Sequence, residues 1–87
     1  MKYSVTVNGK PARETNGELV DEATMKVAVI DIQLDFVSRN PHQALLFDWW
    51  TNGAVRRLTI WGSGERVPDL TKLNAKWLAT VEVTAHE

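Results

Sequence analysis

Apolar and polar residues alternate in the first segment of the chain. Tyr3, Val5 and Val7 share one parity, and Asn8-Gly9 follows them. A period of two is typical of a strand with one buried face, and Asn-Gly favours a tight turn. Residues 10–18 are polar and are punctuated by proline, asparagine and glycine. They predict a loop or a weak hairpin at a sheet edge.

The longest alternation covers residues 26–37. Its apolar positions of one parity are Ala28, Ile30, Ile32, Leu34 and Phe36. A helix would scatter these side chains around its circumference, whereas a strand would place them on one face. The segment therefore predicts a long strand. Residues 20–25 before it predict at most a short helical turn capped by Asp21.

A hairpin is predicted for residues 44–51 and 54–61, which flank Asn52-Gly53. Asn-Gly is the preferred pair for a two-residue type I′ turn. This turn sets Thr51 opposite Ala54 and Asp48 opposite Arg57, where the two charges would form a cross-strand ion pair. One face of the hairpin then consists of Leu45, Phe47, Trp49, Leu58 and Ile60. The other face consists of Leu46, Asp48, Trp50, Val55, Arg57, Thr59 and Trp61.

A helix is the alternative for part of this region. Asn40 would cap it, Pro41 would occupy its first turn, and it would run to Trp50. Such a helix would be apolar on almost every side, and a small domain can hardly bury all of it. The hairpin is therefore the favoured interpretation.

The C-terminal part of the chain begins with a predicted loop at residues 62–69, which are rich in glycine, serine and charge. Alternation then returns, with Leu73, Ala75, Trp77, Ala79, Val81, Val83 and Ala85 on one parity. We expect a terminal strand with Trp77 in the core. One or two helical turns beginning at Asp69 are the alternative for the start of this segment.

The pattern as a whole predicts a mainly β fold. With 87 residues and 9.8 kDa, residues 1–87 form one domain. Several strands at short spacing favour a small antiparallel β-sandwich or barrel-like domain around the central hairpin. At most one or two short helices are expected.

Charge and composition argue against several classes of function. The formal net charge is −1, so the chain has no overall basic footprint, and we do not expect a nucleic-acid partner. The chain has no cysteine, which excludes disulfides, a thiol nucleophile and cysteine-ligated metals. It also has no apolar stretch of the ~18–20 residues that a membrane helix needs. We expect a cytoplasmic protein with no membrane partner.

Candidates for catalysis are few. His42 and His86 lack the spacing of a metal site, and Ser63 lacks the surroundings of a nucleophile turn. On a strand, Asp31 and Asp35 would lie about 13 Å apart, too far for a pair of catalytic carboxylates. We therefore expect no catalytic residues, no metal, no cofactor and no enzymatic activity.

Tryptophan is the most informative residue type, with four in the chain. Trp49 is expected either in the core or as a lid stacked on Arg56. Trp50 and Trp61 lie on the mixed face of the hairpin, where two interpretations remain open. A second sheet would cover them as core, or they would form a partly exposed interface. The predicted partner-binding residues are Asp48, Trp49, Trp50, Arg56, Arg57 and Trp61.

Three function classes fit these residues. The favoured one is a non-enzymatic protein–protein interaction module, such as a small inhibitor or accessory protein of a phage-like mobile genetic element that acts by occlusion. Its partner would be another protein or protein complex. The second class is a structural, virion-type component that self-assembles through strand edges, so that a homo-oligomer stays open. The third is a carbohydrate- or nucleic-acid-binding β-domain with stacking tryptophans.

Overall fold

One antiparallel sheet of five strands and one long helix make up the fold in the computed structural model, which describes all 87 residues. The strands are β1 (Lys2–Val7), β2 (Lys10–Pro11), β3 (Leu45–Asn52), β4 (Val55–Gly62) and β5 (Lys76–His86). A short 3-10 turn spans Arg13–Thr15, and the helix α1 spans Glu22–Arg39. The strand order is β2-β1-β5-β4-β3, so β5, the last strand in the chain, is the middle strand of the sheet.

The prediction of a mainly β, antiparallel domain is confirmed. The sheet is open, and the finer expectation of a sandwich or barrel is not confirmed. α1 lies against one face of the sheet, here called the helix-side face, to which Val5, Leu58 and Val81 belong. The opposite, outer face carries Thr6, Arg57 and their neighbours of the same parity.

The long strand predicted at residues 26–37 is wrong, because this segment lies within α1. The expectation of short helices only is wrong for the same reason, since α1 has 18 residues. Successive even-numbered residues of a helix lie about 200° apart, so they alternate between two opposite sides. Ala28 and Ile32 are buried against the sheet, whereas Ile30 and Leu34 point to solvent. The apolar residues on both sides of the helix therefore imitate the alternation of a strand.

Local signals explain why this segment is helical. Asp21 is the N-cap, and its side chain accepts a hydrogen bond of 2.8 Å from the backbone N–H of Thr24. No glycine or proline interrupts the 18 residues of the helix. Met25 and Val29 join Ala28 and Ile32 in one buried stripe at helical spacing.

The core lies between α1 and the three strands β1, β5 and β4. Leu58, Ile60, Ala79 and Val81 have no exposed surface. The complete core cluster comprises Tyr3, Val5, Ala12, Met25, Val29, Ile32, Leu58, Ile60, Ala79, Val81 and Val83. Burial of these side chains is the main contribution to the stability of the fold.

The two predicted Asn-Gly turns fold differently. Asn8 and Gly9 both have positive φ, of 53° and 79°, and form the expected tight turn between β1 and β2. In the central hairpin only Gly53 has positive φ, so Gly53 and Ala54 form a turn of the type II′ kind.

This turn moves the register of the central hairpin by two residues. Trp50 lies opposite Arg57, and Asp48 lies opposite Thr59. The predicted Asp48–Arg57 ion pair is therefore wrong. The two predicted faces are confirmed, because a shift of two residues leaves the parity unchanged. The predicted strands are also confirmed within one residue at their ends, against the alternative helix from Asn40 to Trp50.

The expected core position of Trp77 is wrong. The pairing of β4 with β5 is irregular after Ile60, so that Ile60 lies opposite Ala79 but Trp61 lies opposite Trp77. One residue of β5 is thereby skipped, and Trp77 is turned to the outer face, where about half of its surface is exposed. Residues 69–72 before β5 form only a single turn around Asp69.

No helix of the protein combines the length and the apolar character needed to cross a membrane.

We predict that Leu58→Ala lowers the free energy of unfolding by about 2–5 kcal/mol, because Leu58 is fully buried and its truncation opens a cavity in the core. Urea denaturation followed by circular dichroism measures this change. Leu70→Ala is the matched control, since Leu70 is 73% exposed, and its effect should stay within about 0.5 kcal/mol. Equal effects of the two substitutions would contradict the described core.

We also predict a pH-dependent contribution of the helix cap. The hydrogen bonds from Thr24 hold the pKa of Asp21 below its usual value of 3.8. The carboxylate therefore stabilises the folded state above that pH, and the contribution is lost as the pH falls through the lowered pKa. Asp21→Ala should lower Tm at neutral pH, with a shrinking difference from the wild type below pH 3.8. Asp21→Asn, which keeps an accepting oxygen, should lower Tm less.

Candidate protein-binding surface

The six predicted partner-binding residues all lie on the β3–β4 hairpin, but on two different faces. Trp49 and Arg56 belong to the helix-side face. Asp48, Trp50, Arg57 and Trp61 belong to the outer face. The residues therefore do not form one continuous patch on a single face. They meet only around the free edge of the sheet, which β3 forms.

A row of paired side chains crosses the outer face near the turn of the hairpin. Trp50 lies opposite Arg57, which in turn lies opposite Glu82 of β5. The guanidinium carbon of Arg57 is 4.9 Å from the ring centroid of Trp50, a cation–π distance. Arg57 Nε is 3.6 Å from Glu82 Oε1, and this buried nitrogen has no hydrogen-bond partner. The indole of Trp50 therefore packs against the guanidinium of Arg57, and Glu82 already compensates the positive charge of that group.

A second row lies further from the turn and is apolar. Leu46 lies opposite Trp61, and Trp61 lies opposite Trp77. The indole N–H of Trp77 donates a hydrogen bond of 2.9 Å to the hydroxyl of Thr80. Sequence reasoning missed Trp77 as a surface residue, because the irregular pairing that turns it outward leaves no recognisable signal in the alternation.

The helix-side face is only partly covered at this end of the sheet. A groove of about 620 Å³ runs between α1 and the hairpin. Trp49, Thr51 and Arg56 form its sheet wall, and Ile30 belongs to its helix wall. The charged residues that line it are Lys26 and Arg56, with no carboxylate among them. The groove is therefore apolar with a basic rim.

The free edge of β3 connects the two faces. Residues that flank a two-residue turn exchange hydrogen bonds, and pairs with and without such bonds then alternate along the hairpin. With Asn52 paired to Val55, the backbone groups of Trp50 are directed to β4, and those of Trp49 and Thr51 are directed away from the sheet. β3 has eight residues, with one charged side chain and neither proline nor lysine. Apart from Asp48, it lacks the features that commonly protect an edge strand from pairing.

The residues considered for catalysis, Ser63, His42 and His86, either make structural hydrogen bonds or lie exposed on the surface. The hydroxyl of Ser63, which is buried, lies within hydrogen-bond distance of the carbonyl oxygens of Ala44 and Glu65. It therefore joins the two segments that lead into and out of the hairpin. His42 is exposed, and the Nε2 atom of His86 is 2.9 Å from the hydroxyl of Ser4.

The predicted separation of Asp31 and Asp35 is wrong, because they lie on α1 rather than on a strand. Residues four apart on a helix are neighbours, about 5–6 Å apart at Cβ. Asp35 pairs with Arg39 of the same helix. No group of three or more His, Cys, Asp or Glu residues is arranged to hold a metal ion.

No protein-family model, curated protein or solved structure matches the chain. Its function is therefore inferred from its own geometry and chemistry.

We predict that Trp50→Ala leaves the protein folded. Trp50 is 47% exposed, so its removal should lower the free energy of unfolding by about 1 kcal/mol, the scale of an exposed cation–π contact. This loss is smaller than that expected for Leu58→Ala. Urea denaturation of both variants makes the comparison. A loss as large as that of Leu58→Ala would assign Trp50 to the core rather than to a surface.

Proposed function

We propose that the protein is a non-enzymatic protein–protein interaction module that binds an extended segment of its partner along β3. The observation that carries this proposal is an unprotected edge strand of eight residues with a half-exposed tryptophan on each of its faces. An added strand would use the outward backbone groups of Trp49 and Thr51 for main-chain hydrogen bonds.

The tryptophans supply the side-chain contacts of such a complex. Trp49 and Trp50 are neighbours in sequence, so they lie at the same point of the edge and point to opposite faces. A strand added beside them would contact one indole on each face. Tryptophan and arginine are the commonest energetic anchors of protein interfaces. Arg56 and Arg57 lie on the neighbouring strand β4, opposite Thr51 and Trp50.

The charges indicate the chemistry of the bound segment. On the helix-side face, Arg56 makes no ion pair, whereas Lys26 across the groove is paired with Glu22 of its own helix. On the outer face, Glu82 already compensates Arg57. The segment would therefore direct apolar and acidic side chains toward the groove and neutral side chains toward Trp50. An occluding inhibitor or accessory protein in the cytoplasm, of the kind that phage-like elements encode, fits this mode of binding.

Self-assembly is the second candidate, because the same free edge of β3 would also accept the edge of another copy. Sugar or nucleic-acid binding is the third, with Trp50, Trp61 and Trp77 as a stacking surface on the outer face. Nucleic acid is disfavoured there, since Asp48 and Glu82 offset the positive charge of Arg57.

A tagged capture from an extract of the source cell tests this proposal. Its variants separate the contribution of backbone hydrogen bonds from that of side-chain contacts. Thr51→Pro removes one outward N–H without removing a bond to β4, and proline is tolerated on edge strands. Thr51→Val keeps the N–H and the branched shape. We expect the wild type and Thr51→Val to retain one stoichiometric partner. Thr51→Pro should bind that partner at least tenfold more weakly, which corresponds to the loss of one hydrogen bond worth ~1.4 kcal/mol.

Side-chain variants complete this test. Arg56→Glu with Arg57→Glu should abolish capture, whereas Trp77→Ala, which changes a tryptophan remote from the turn, should preserve it. Circular dichroism verifies the fold of each variant. Capture that survives Thr51→Pro would exclude strand addition. Recovery of the protein alone in large complexes would support the self-assembling alternative.

A further inference from the structure

α1 has a second apolar stripe on the side opposite its buried one. Its residues are Ala23, Val27, Ile30, Leu34 and Val37. The four larger side chains are between 47% and 60% exposed. The stripe spans 14 intervals at 1.5 Å each, or about 21 Å, and contains no polar residue. A helix of a small protein usually has a polar outward face, so this stripe needs an explanation.

The spacing of the stripe is that of a coiled-coil seam. Its members follow one another at intervals of four, three, four and three residues. Val27 and Leu34 occupy a positions of a heptad, and Ile30 and Val37 occupy d positions. A second helix with the same spacing would pack its side chains into this stripe along its whole length.

The residues that flank the stripe differ in charge. On one flank lie Lys26 and Gln33, in g positions, and on the other lie Asp31 and Ser38, in e positions. Asp31 forms no ion pair within the chain, whereas the other acidic residues of the helix do so with Lys26 and Arg39.

We propose that a second copy of this chain covers the stripe, with the two α1 helices packed in parallel. In a parallel pair, a g residue lies beside the e residue five positions later on the other helix. Lys26 of each copy would thus lie beside Asp31 of the partner subunit, and the two-fold axis makes this contact twice. The remaining flanking pair, Gln33 with Ser38 of the partner subunit, is neutral and polar.

An antiparallel pair is disfavoured by the same charges. In that arrangement e residues lie beside e residues, and a pair centred on the stripe would bring Asp31 close to Asp31 of the partner subunit. Two like charges at the seam repel each other.

The resulting dimer has four layers, in the order sheet, helix, helix, sheet. It uses neither the outer face nor the edge of β3, and it shares only Lys26, Ile30 and Gln33 of α1 with the groove. The backbone edge of β3 would stay free in both copies, whereas Lys26 and Ile30 would contact either the second helix or a segment bound in the groove.

Sedimentation equilibrium across a concentration series tests the self-association. We expect the wild type to shift from monomer to dimer as its concentration rises. Leu34→Glu places a charge in the seam and should weaken the dimer at least about tenfold. Leu70→Glu is the matched control, because Leu70 is an exposed leucine outside the stripe, and it should dimerise like the wild type. A wild type that stays monomeric throughout, or a Leu34→Glu variant that dimerises unchanged, would overturn the proposal.

A cross-linking experiment tests the parallel orientation and does not depend on a destabilising charge. The chain has no cysteine, so Val37→Cys introduces a single thiol near the end of the stripe. In the parallel pair the two thiols meet across the axis, and mild oxidation should yield a disulfide-linked dimer. In an antiparallel pair position 37 lies near position 23, and no cross-link should form. Leu70→Cys is the control for random collision.

A charge exchange tests the proposed contact between Lys26 and Asp31 of the partner subunit. Lys26→Glu and Asp31→Lys should each weaken the dimer on the order of tenfold, because each replaces two attractive pairs by repulsive ones. The double variant should recover wild-type association, although the pair between residues 22 and 26 within the helix remains lost. Failure of the double variant to recover would contradict the assigned contact.

Discussion

The width of one helix is the constraint on which the rest of this structure depends. A helix with its side chains is about 10 Å wide, whereas five strands at ~4.8 Å spacing span about 19 Å. α1 packs over β1 and β5 and reaches Leu58 and Ile60 of β4. The helix-side face of β3 therefore stays open, and Trp49 lines a groove instead of a core.

The apolar residues of the protein fall into three groups with different surroundings. The first fills the space between helix and sheet. The second, around Trp49 and Trp50, borders an edge strand that no other element covers. The third forms the outward stripe of α1. Charged residues accompany the last two groups: Arg56 and Arg57 lie near the indoles, and Lys26 and Asp31 flank the stripe. Apolar surface with ordered charges at its border is typical of interfaces rather than of random exposure.

The chain's pattern predicts the strands well, since β1, β4 and β5 each have one buried parity and the Asn52-Gly53 pair marks the hairpin that joins β3 to β4. It does not predict α1, because Ile30 and Leu34 are apolar without being part of the core. The alternating pattern of this segment therefore fits a helix as well as a strand. The side chains of Trp50 and Arg57 could be assigned to one face from parity alone. Their contact could not, since it depends on the conformation of Gly53. Trp77 was beyond prediction for a similar reason: the irregular pairing after Ile60 is a property of two strands together.

The position of β5 has a consequence for how the protein is made. β5 lies between β1 and β4, yet it is the last strand to leave the ribosome. Until residues 76–86 are synthesised, β1 and the β3–β4 hairpin have no common neighbour, and the buried side of α1 has no complete surface to cover. The complete sheet therefore cannot form before β5 joins its two halves. Until β5 is in place, the edges of β1 and β4 that it covers have no partner, and unpaired strand edges are prone to pair with other chains.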